Sequence, residues 1–379
     1  MKKIILIFIL LFLFSPKVYA MSNEIIDSQK ESFNISSFLE ESKKYTEKAF
    51  PDMNLNTMLT SIISGNVDNK TFFNSILNLL GKEVKNTLKI LASILIIVVI
   101  HSVFKSISDN LQNTGITQIT YYVQYILIVT IVMSNFIDIT NMAVSAVNNL
   151  VSFMYMLTPI LIALLITTGS MVSANIVQPM ILFAITFIGN IISTLIIPIM
   201  LVSTVFSIIS SISDKIQIDK LSNFLKSGII WGLGIMLTIF VGLLSLEGTL
   251  GSSIDGLTAK TAKAAVSNFI PVVGKVLGDS IDTVLGCASV LKNAVGVLGT
   301  IIIVGICIAP IVKLSILTII YHLTAAICQP IADEKIVKLL EQIGGTFKVL
   351  LAITCSVAVM LIIGVALVVK ISNSGLMYR

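Results

Sequence analysis

The 379-residue chain is 55% hydrophobic and 12% charged, with a mean hydropathy of +0.99. An ordinary soluble domain is about a quarter charged, so a water-surrounded globule, a disordered chain and a disulfide-stapled secreted domain are excluded, and a polytopic membrane protein remains. The net charge of +5 is dispersed, and every basic residue except Arg379 is a lysine. No arginine-rich strip of the kind that grips nucleic acid is present.

Lys2 and Lys3 precede an apolar run from Ile4 to Phe14, followed by Ser15-Pro16-Lys17-Val18-Tyr19-Ala20. This is the layout of a secretory signal over residues 1–20. Its apolar part rises only ~16 Å, short of the ~30 Å of hydrocarbon. Cleavage after Ala20 is expected, and residue 21 onward starts outside the cytoplasm.

Residues 21–87 are the one stretch of soluble composition. Ser36 or Ser37 is suited to cap a helix carrying Phe38 and Leu39, with Glu40 and Glu41 in its first turn. Phe50-Pro51-Asp52 breaks the chain. Leu55, Met58, Leu59, Ile62 and Ile63 then keep helical spacing up to a stop at Gly65-Asn66. A third helix from about Thr71 puts Phe72, Ile76, Leu79 and Leu80 on one side. Such short amphipathic helices are suited to lie on a bilayer or to pack together.

Apolar spans follow near 88–104, 118–137, 150–168, 176–197, 228–246, 299–320 and 349–369, most of them close to the ~20 residues needed to cross. From Asn110 to Ser213 the sole charge is Asp138. The stretch from Ile176 to Ile212 is ~55 Å long if wholly helical and contains Pro198. One span there gives seven in all, and two give eight and put Lys215, Lys220 and Lys226 in a cytoplasmic loop. The lysine distribution does not decide by the positive-inside rule; seven is the reading taken. The expectation is an all-α membrane helix bundle with about five spans in 88–246 and a transmembrane pair and tail in 299–379.

Between them, residues 247–298 carry charges and glycines and no span of adequate length. Thr258 to Phe269 reads as a helix and Pro271 interrupts it. A second helix then sets Lys275, Asp279, Asp282, Gly286, Ser289 and Asn293 on one face, with Val276, Leu277, Val284, Leu285, Ala288 and Leu291 on the other. This predicts an amphipathic helical hairpin at the membrane surface or re-entrant into the bundle.

The same stretch carries a family likeness. Glu247-Gly248, Thr261-Ala262-Lys263, Asn268-Phe269-Ile270-Pro271-Val272-Val273-Gly274-Lys275, Asp282-Thr283 and Lys292-Asn293-Ala294-Val295-Gly296 closely resemble the stage III sporulation protein AE family. The exported N-terminus, the Phe50-Pro51-Asp52 break and the order of spans fit it as well. The resemblance implies a multipass component of a channel-like complex between mother cell and forespore. It also implies a partner secretion-type ATPase and further membrane proteins as company, and a place in the mother-cell membrane around the forespore. The family offers no catalytic residues to carry over.

The residues themselves argue against an enzyme. There is no GxxxxGK[ST], HExxH or GxSxG, and the two histidines are His101 and His322. His101 reads as an interfacial imidazole or a proton relay. Cys287, Cys307, Cys328 and Cys355 lack metal-site spacing and read as buried small hydrophobes. No cofactor, metal or small-molecule substrate is expected; the bilayer and membrane proteins are the expected partners. Candidate docking or pore-lining residues are Glu247, Asp255, Lys263, Asn268, Pro271, Gly274, Lys275, Gly278, Asp279, Asp282 and Lys292, with Lys313 in the following span. Lys313 interrupts an apolar run three residues after Pro310, where a lysine costs ~2.5–3.5 kcal/mol and usually faces a bundle interior or aqueous cavity. Snorkelling is its plainer reading, and a pairing with Asp138 is a further one. The Lys275/Asp279/Asp282 face reads equally as a solvated surface held by i,i+4 pairing. A channel or scaffold subunit is the function expected. The alternative is an autonomous secondary transporter, which Pro159, Pro179, Pro198 and Pro310 would permit by breaking helices.

Overall fold

The computed structural model describes residues 23–47, 50, 54–65, 69–110, 114–212, 218–243, 273–332 and 334–377. The expected signal segment and the first arm of the hairpin, with Glu247, Asp255, Lys263, Asn268 and Pro271, lie outside these residues. Among them the fold is an all-α membrane helix bundle. Three short helices come first: α1 (Asn23–Ser32), α2 (Ile35–Thr46) and α3 (Leu55–Ser64). Long helices follow: α4 (Asn69–Asn110), α5 (Thr114–Thr167), α6 (Met171–Ile191), α7 (Ile197–Ile212), α8 (Asp219–Leu243), α9 (Val273–Cys328) and α10 (Glu334–Met377).

The short helices start and stop for local reasons. Asn34, in the left-handed region at φ 48°, precedes α2, so neither Ser36 nor Ser37 caps it; both sit inside the first turn. Asn54 caps α3, its Oδ1 accepting from the N–H groups of Asn56 and Thr57 at 3.0 and 3.3 Å. Gly65 ends α3 at φ 76°, a conformation glycine adopts without a Cβ clash. The third helix begins at Asn69 and does not stop before the first apolar span; both form α4.

Among the described residues, five helical stretches are long and apolar enough to cross a bilayer: Tyr125–Thr167, Met171–Ser211, Asp219–Leu243, Thr283–Cys328 and Glu334–Ile371. The expected spans at 118–137 and 150–168 fall on the single helix α5. The polar link between them contains neither glycine nor proline, so nothing in the backbone ends the helix there. Ile176 to Ile212 likewise holds no turn. A π-helical turn at Ile192–Ile196 joins α6 to α7 directly before Pro198. That wide turn accommodates the missing N–H and the ring, which would otherwise press on the carbonyl four residues back. Two crossings separated by a loop are therefore not formed there. The 54 and 56 residues of α5 and α9 rise roughly 80 Å, more than twice the hydrocarbon thickness.

The hub is α9. It lies antiparallel to α10: Lys292 meets Val369 near one end, and Tyr321 and His322 meet Gly344 towards the other. It also packs against α1 to α5. Residues 287 to 307 are buried almost throughout. Of the two placements expected for the hairpin arm, at the membrane surface or re-entrant into the bundle, this burial disfavours the surface. The expected division of the arm into a polar and an apolar face does not hold. Val284 on its supposed apolar side is exposed, whereas Ser289 on its polar side is buried, because helices cover α9 on several sides. No break separates the arm from the following span at residue 299.

The soluble-looking N-terminal helices are part of this packing. Phe38 and Tyr45 of α2 set their rings against Phe153 of α5 at centroid distances of 6.1 and 5.8 Å. Phe50 and Thr46 lie over Gly305 of α9, where a Cβ would come within 3.3 Å of both. Phe153→Ala should cost about 3–5 kcal/mol as a large-to-small core change and release α2. Limited trypsin digestion, read at Lys43 and Lys44, should then cut several times faster, while Phe153→Leu stays close to the parent rate.

Candidate functional site

Of the candidate residues on the described part of the chain, Gly274, Lys275, Gly278, Asp279 and Asp282 lie on the first turns of α9. Lys292 lies three turns further on and is fully buried, so it is neither a docking surface nor exposed to a passage. Its Nζ donates to the Val369 carbonyl at 2.8 Å, which ties α9 to α10 about two turns before the end of that helix. The buried Oδ1 of the neighbouring Asn293 has no hydrogen-bond partner. Lys313 is half-buried, and Asp138 is exposed on α5; no ion pair joins them among the described residues.

The structure brings together a different group of polar side chains. Ser203, Ser207 and Ser211 succeed one another at four-residue spacing on α7. Asp219, Ser222 and Lys226 do so at three and four on α8, and Lys338, Gln342 and Thr346 at four on α10. Each spacing makes a stripe along one helix face, and the three stripes meet. Ser222 Oγ lies 2.6 Å from Ser207 Oγ and 3.1 Å from Ser203 Oγ, and donates to the Ser203 carbonyl at 2.8 Å. Lys226 Nζ donates to Ser207 Oγ at 3.0 Å and to the Gln342 carbonyl at 3.2 Å. Gln342 Nε2 donates to Asp219 Oδ1 at 2.9 Å, and its Oε1 accepts from Ser211 Oγ at 3.0 Å. Asp219 also pairs with Lys338, and Thr204 reaches Thr346 at 3.4 Å.

Within a bundle of this apolarity such groups are satisfied by one another, and a buried ionisable side chain is a candidate functional position. Sequence reasoning missed this cluster because it placed the span at 228–246 and left Lys226 in a loop. The helix begins at Asp219, which draws Lys226 two turns inward. The four-residue serine repeat before it was the available signal.

The four cysteines are unpaired and at least half-buried, and Cys307 Sγ donates to the Val304 carbonyl at 3.5 Å. Among the described residues no group of three or more His, Cys, Asp or Glu is placed to hold a metal ion.

Substitutions at two positions separate the roles of the buried groups. Ser222→Ala removes the bridge between α7 and α8 and should lower stability by about 1–3 kcal/mol through the polar atoms left unmatched. Lys292→Met keeps the volume while removing a buried charge and should be close to neutral or stabilising, whereas Lys292→Ala adds a cavity and should destabilise by about 2–5 kcal/mol. Unfolding midpoints of the detergent-solubilised variants check both.

Comparison with known proteins fits this architecture. No solved structure matches the chain. Stage III sporulation protein AE of Bacillus subtilis (strain 168) is 30% identical over 291 residues, covering 77% of this chain and 73% of the relative. The profile of the stage III sporulation protein AE family matches residues 53–372, from before α3 to near the end of α10. The match therefore takes in the central helix, the polar cluster and the expected hairpin together, and the chain belongs to the stage III sporulation protein AE family.

Proposed function

We propose that this sporulation protein is a non-enzymatic, multipass membrane subunit of a channel- or secretion-like complex between mother cell and forespore, required for late forespore development. Its family membership is the observation that carries this reading. In it the chain sits in the mother-cell membrane around the forespore, with residues 21–87 outside the cytoplasm. A separate ATPase supplies energy, because the chain has no phosphate-binding loop of its own.

The packing of α2 on Phe153 and of Phe50 on Gly305 supports a scaffold role, since it turns the exported segment into a fixed part of the bundle. The continuity of the helices weighs against the transporter alternative. Secondary transporters build midplane sites from unwound helices, yet α5, α6 and α9 run through Pro159, Pro179 and Pro310 as helices.

The test is co-purification of the tagged full-length chain from sporulating cells. It should recover an ATPase and other membrane proteins; recovery of the chain alone, together with substrate flux by the purified protein, would favour a transporter. Reversing both charges of the proposed docking face, Lys275→Glu with Asp279→Lys, should reduce partner recovery about tenfold, equivalent to roughly 1.4 kcal/mol, without lowering membrane levels of the chain.

A further inference from the structure

We infer that the polar cluster of α7, α8 and α10 is a binding site for a small anionic group, a halide or a phosphate, seated against Lys226. Lys226 is 8% exposed. Both acceptors of its ammonium are neutral: Ser207 Oγ at 3.0 Å and the Gln342 carbonyl at 3.2 Å. The carboxylate of the cluster is engaged elsewhere, since Asp219 takes the Gln342 amide and pairs with Lys338. Among the described residues two ammoniums thus stand against one carboxylate, which acts on the inner one without a hydrogen bond to it. A buried charge in that state is strongly unfavourable and calls for a counter-ion.

The surroundings supply what an anion needs. Ser203 and Ser207 each present a rotatable hydroxyl within hydrogen-bond distance of that of Ser222, and Ser207 also touches Lys226 Nζ. Each hydroxyl can turn its hydrogen from a serine neighbour to an anion, and hydrogen bonds to a charged acceptor are the stronger ones. Cations are disfavoured by the same ammonium, and the carboxylate they would require is already paired. Access is from the outer edge of the cluster, where the side chains of Asp219 and Lys338 remain 26% and 41% exposed. The anionic group has two possible sources, a dissolved ion or the phosphate of a lipid headgroup at that edge.

The experiment uses the full-length protein in nanodiscs, with thermal unfolding as the readout. In the first arm, phosphatidylcholine discs are titrated with sodium chloride or sodium phosphate in place of sodium gluconate at fixed ionic strength. In the second arm, phosphatidylglycerol replaces part of the phosphatidylcholine in gluconate. A saturable rise in midpoint is expected, in the first arm for a dissolved ion and in the second alone for a headgroup. The rise should vanish in Lys226→Met, survive in Lys226→Arg and require several-fold more anion in Ser207→Ala. Lys220→Met, at an exposed lysine of the same helix end, should leave it intact. In gluconate and phosphatidylcholine, Lys226→Met should unfold at a higher temperature than the parent, because it deletes a charge that lacks its counter-ion; a purely structural lysine predicts the reverse. Should Lys226→Met not fold, Ser207→Ala and Lys226→Arg carry the comparison. Absence of a rise in both arms, an undiminished rise in Lys226→Met, a Ser207→Ala response equal to the parent's, or an equal loss in Lys220→Met overturns the assignment.

Discussion

The enclosure of α9 sets the position of the other helices. In an apolar medium lipid is as good a neighbour for leucine as another helix, so association depends on close approach and on polar bonds between helices. Gly299 on α9 leaves room for Leu157 of α5, and Gly305 leaves room for Phe50. Those two absences of a side chain bring α5 and the N-terminal segment onto one helix. Lys292 then adds the polar bond that fixes the last turns of α10 against it. With α5 and α10 so placed, α6 follows from its packing on α5, and α7 from its packing on α10.

Polar satisfaction divides the bundle along its length. Gln342 and Val369 are 27 positions apart on α10, or roughly 40 Å of helix rise. The ammonium of Lys226 donates to a backbone carbonyl at the first and that of Lys292 at the second. Between these levels the facing surfaces of α9 and α10 are almost wholly apolar, from Leu317 and Phe347 to Leu298 and Val365. The distance exceeds the ~30 Å hydrocarbon thickness. The two lysines therefore mark two ends of the apolar contact, and each end is held by a different chemistry: a single charge-to-carbonyl bond at one, a network of hydroxyls, amide and carboxylate at the other.

Much of this was legible in the sequence, and the remainder has identifiable reasons. Composition alone gave a membrane bundle, and the spacing of Leu55, Leu59 and Ile62 up to Gly65 read directly as a helix with its stop, whereas the cap at Asn54 is seen only in the structure. Helix ends were harder. Hydropathy detects where a segment can cross, but a polar link without glycine or proline continues a helix as well as an apolar one does, so α5 absorbed two expected spans. Lys313 drew notice because it stands alone in an apolar run, yet it forms no ion pair among the described residues. Lys226 and Lys292 drew less because polar residues stand beside them. Burial of a lysine depends on what other helices place opposite it, and for Lys226 those partners are 19 and 116 positions away. Only the matching stripes on α7, α8 and α10 were visible beforehand, and they become informative once all three are taken together.

The attachment of α8 follows from the same stripes. Of the five membrane-long stretches, α8 is the least enclosed, and Phe224 and Trp231 on it are 72% and 75% exposed. Its inner edge has two parts. Ser222 and Lys226 bind the polar cluster, while Ile229, Leu233, Met236 and Phe240 continue the edge in apolar form, with Phe240 reaching Gly364 of α10. The apolar part gains little over lipid. The geometric specificity of the attachment therefore rests on the polar part, where hydrogen-bond directions fix the rotation and height of α8 against α7 and α10. Among the described residues, a change of charge at Lys226 therefore acts on the polar contacts that orient α8.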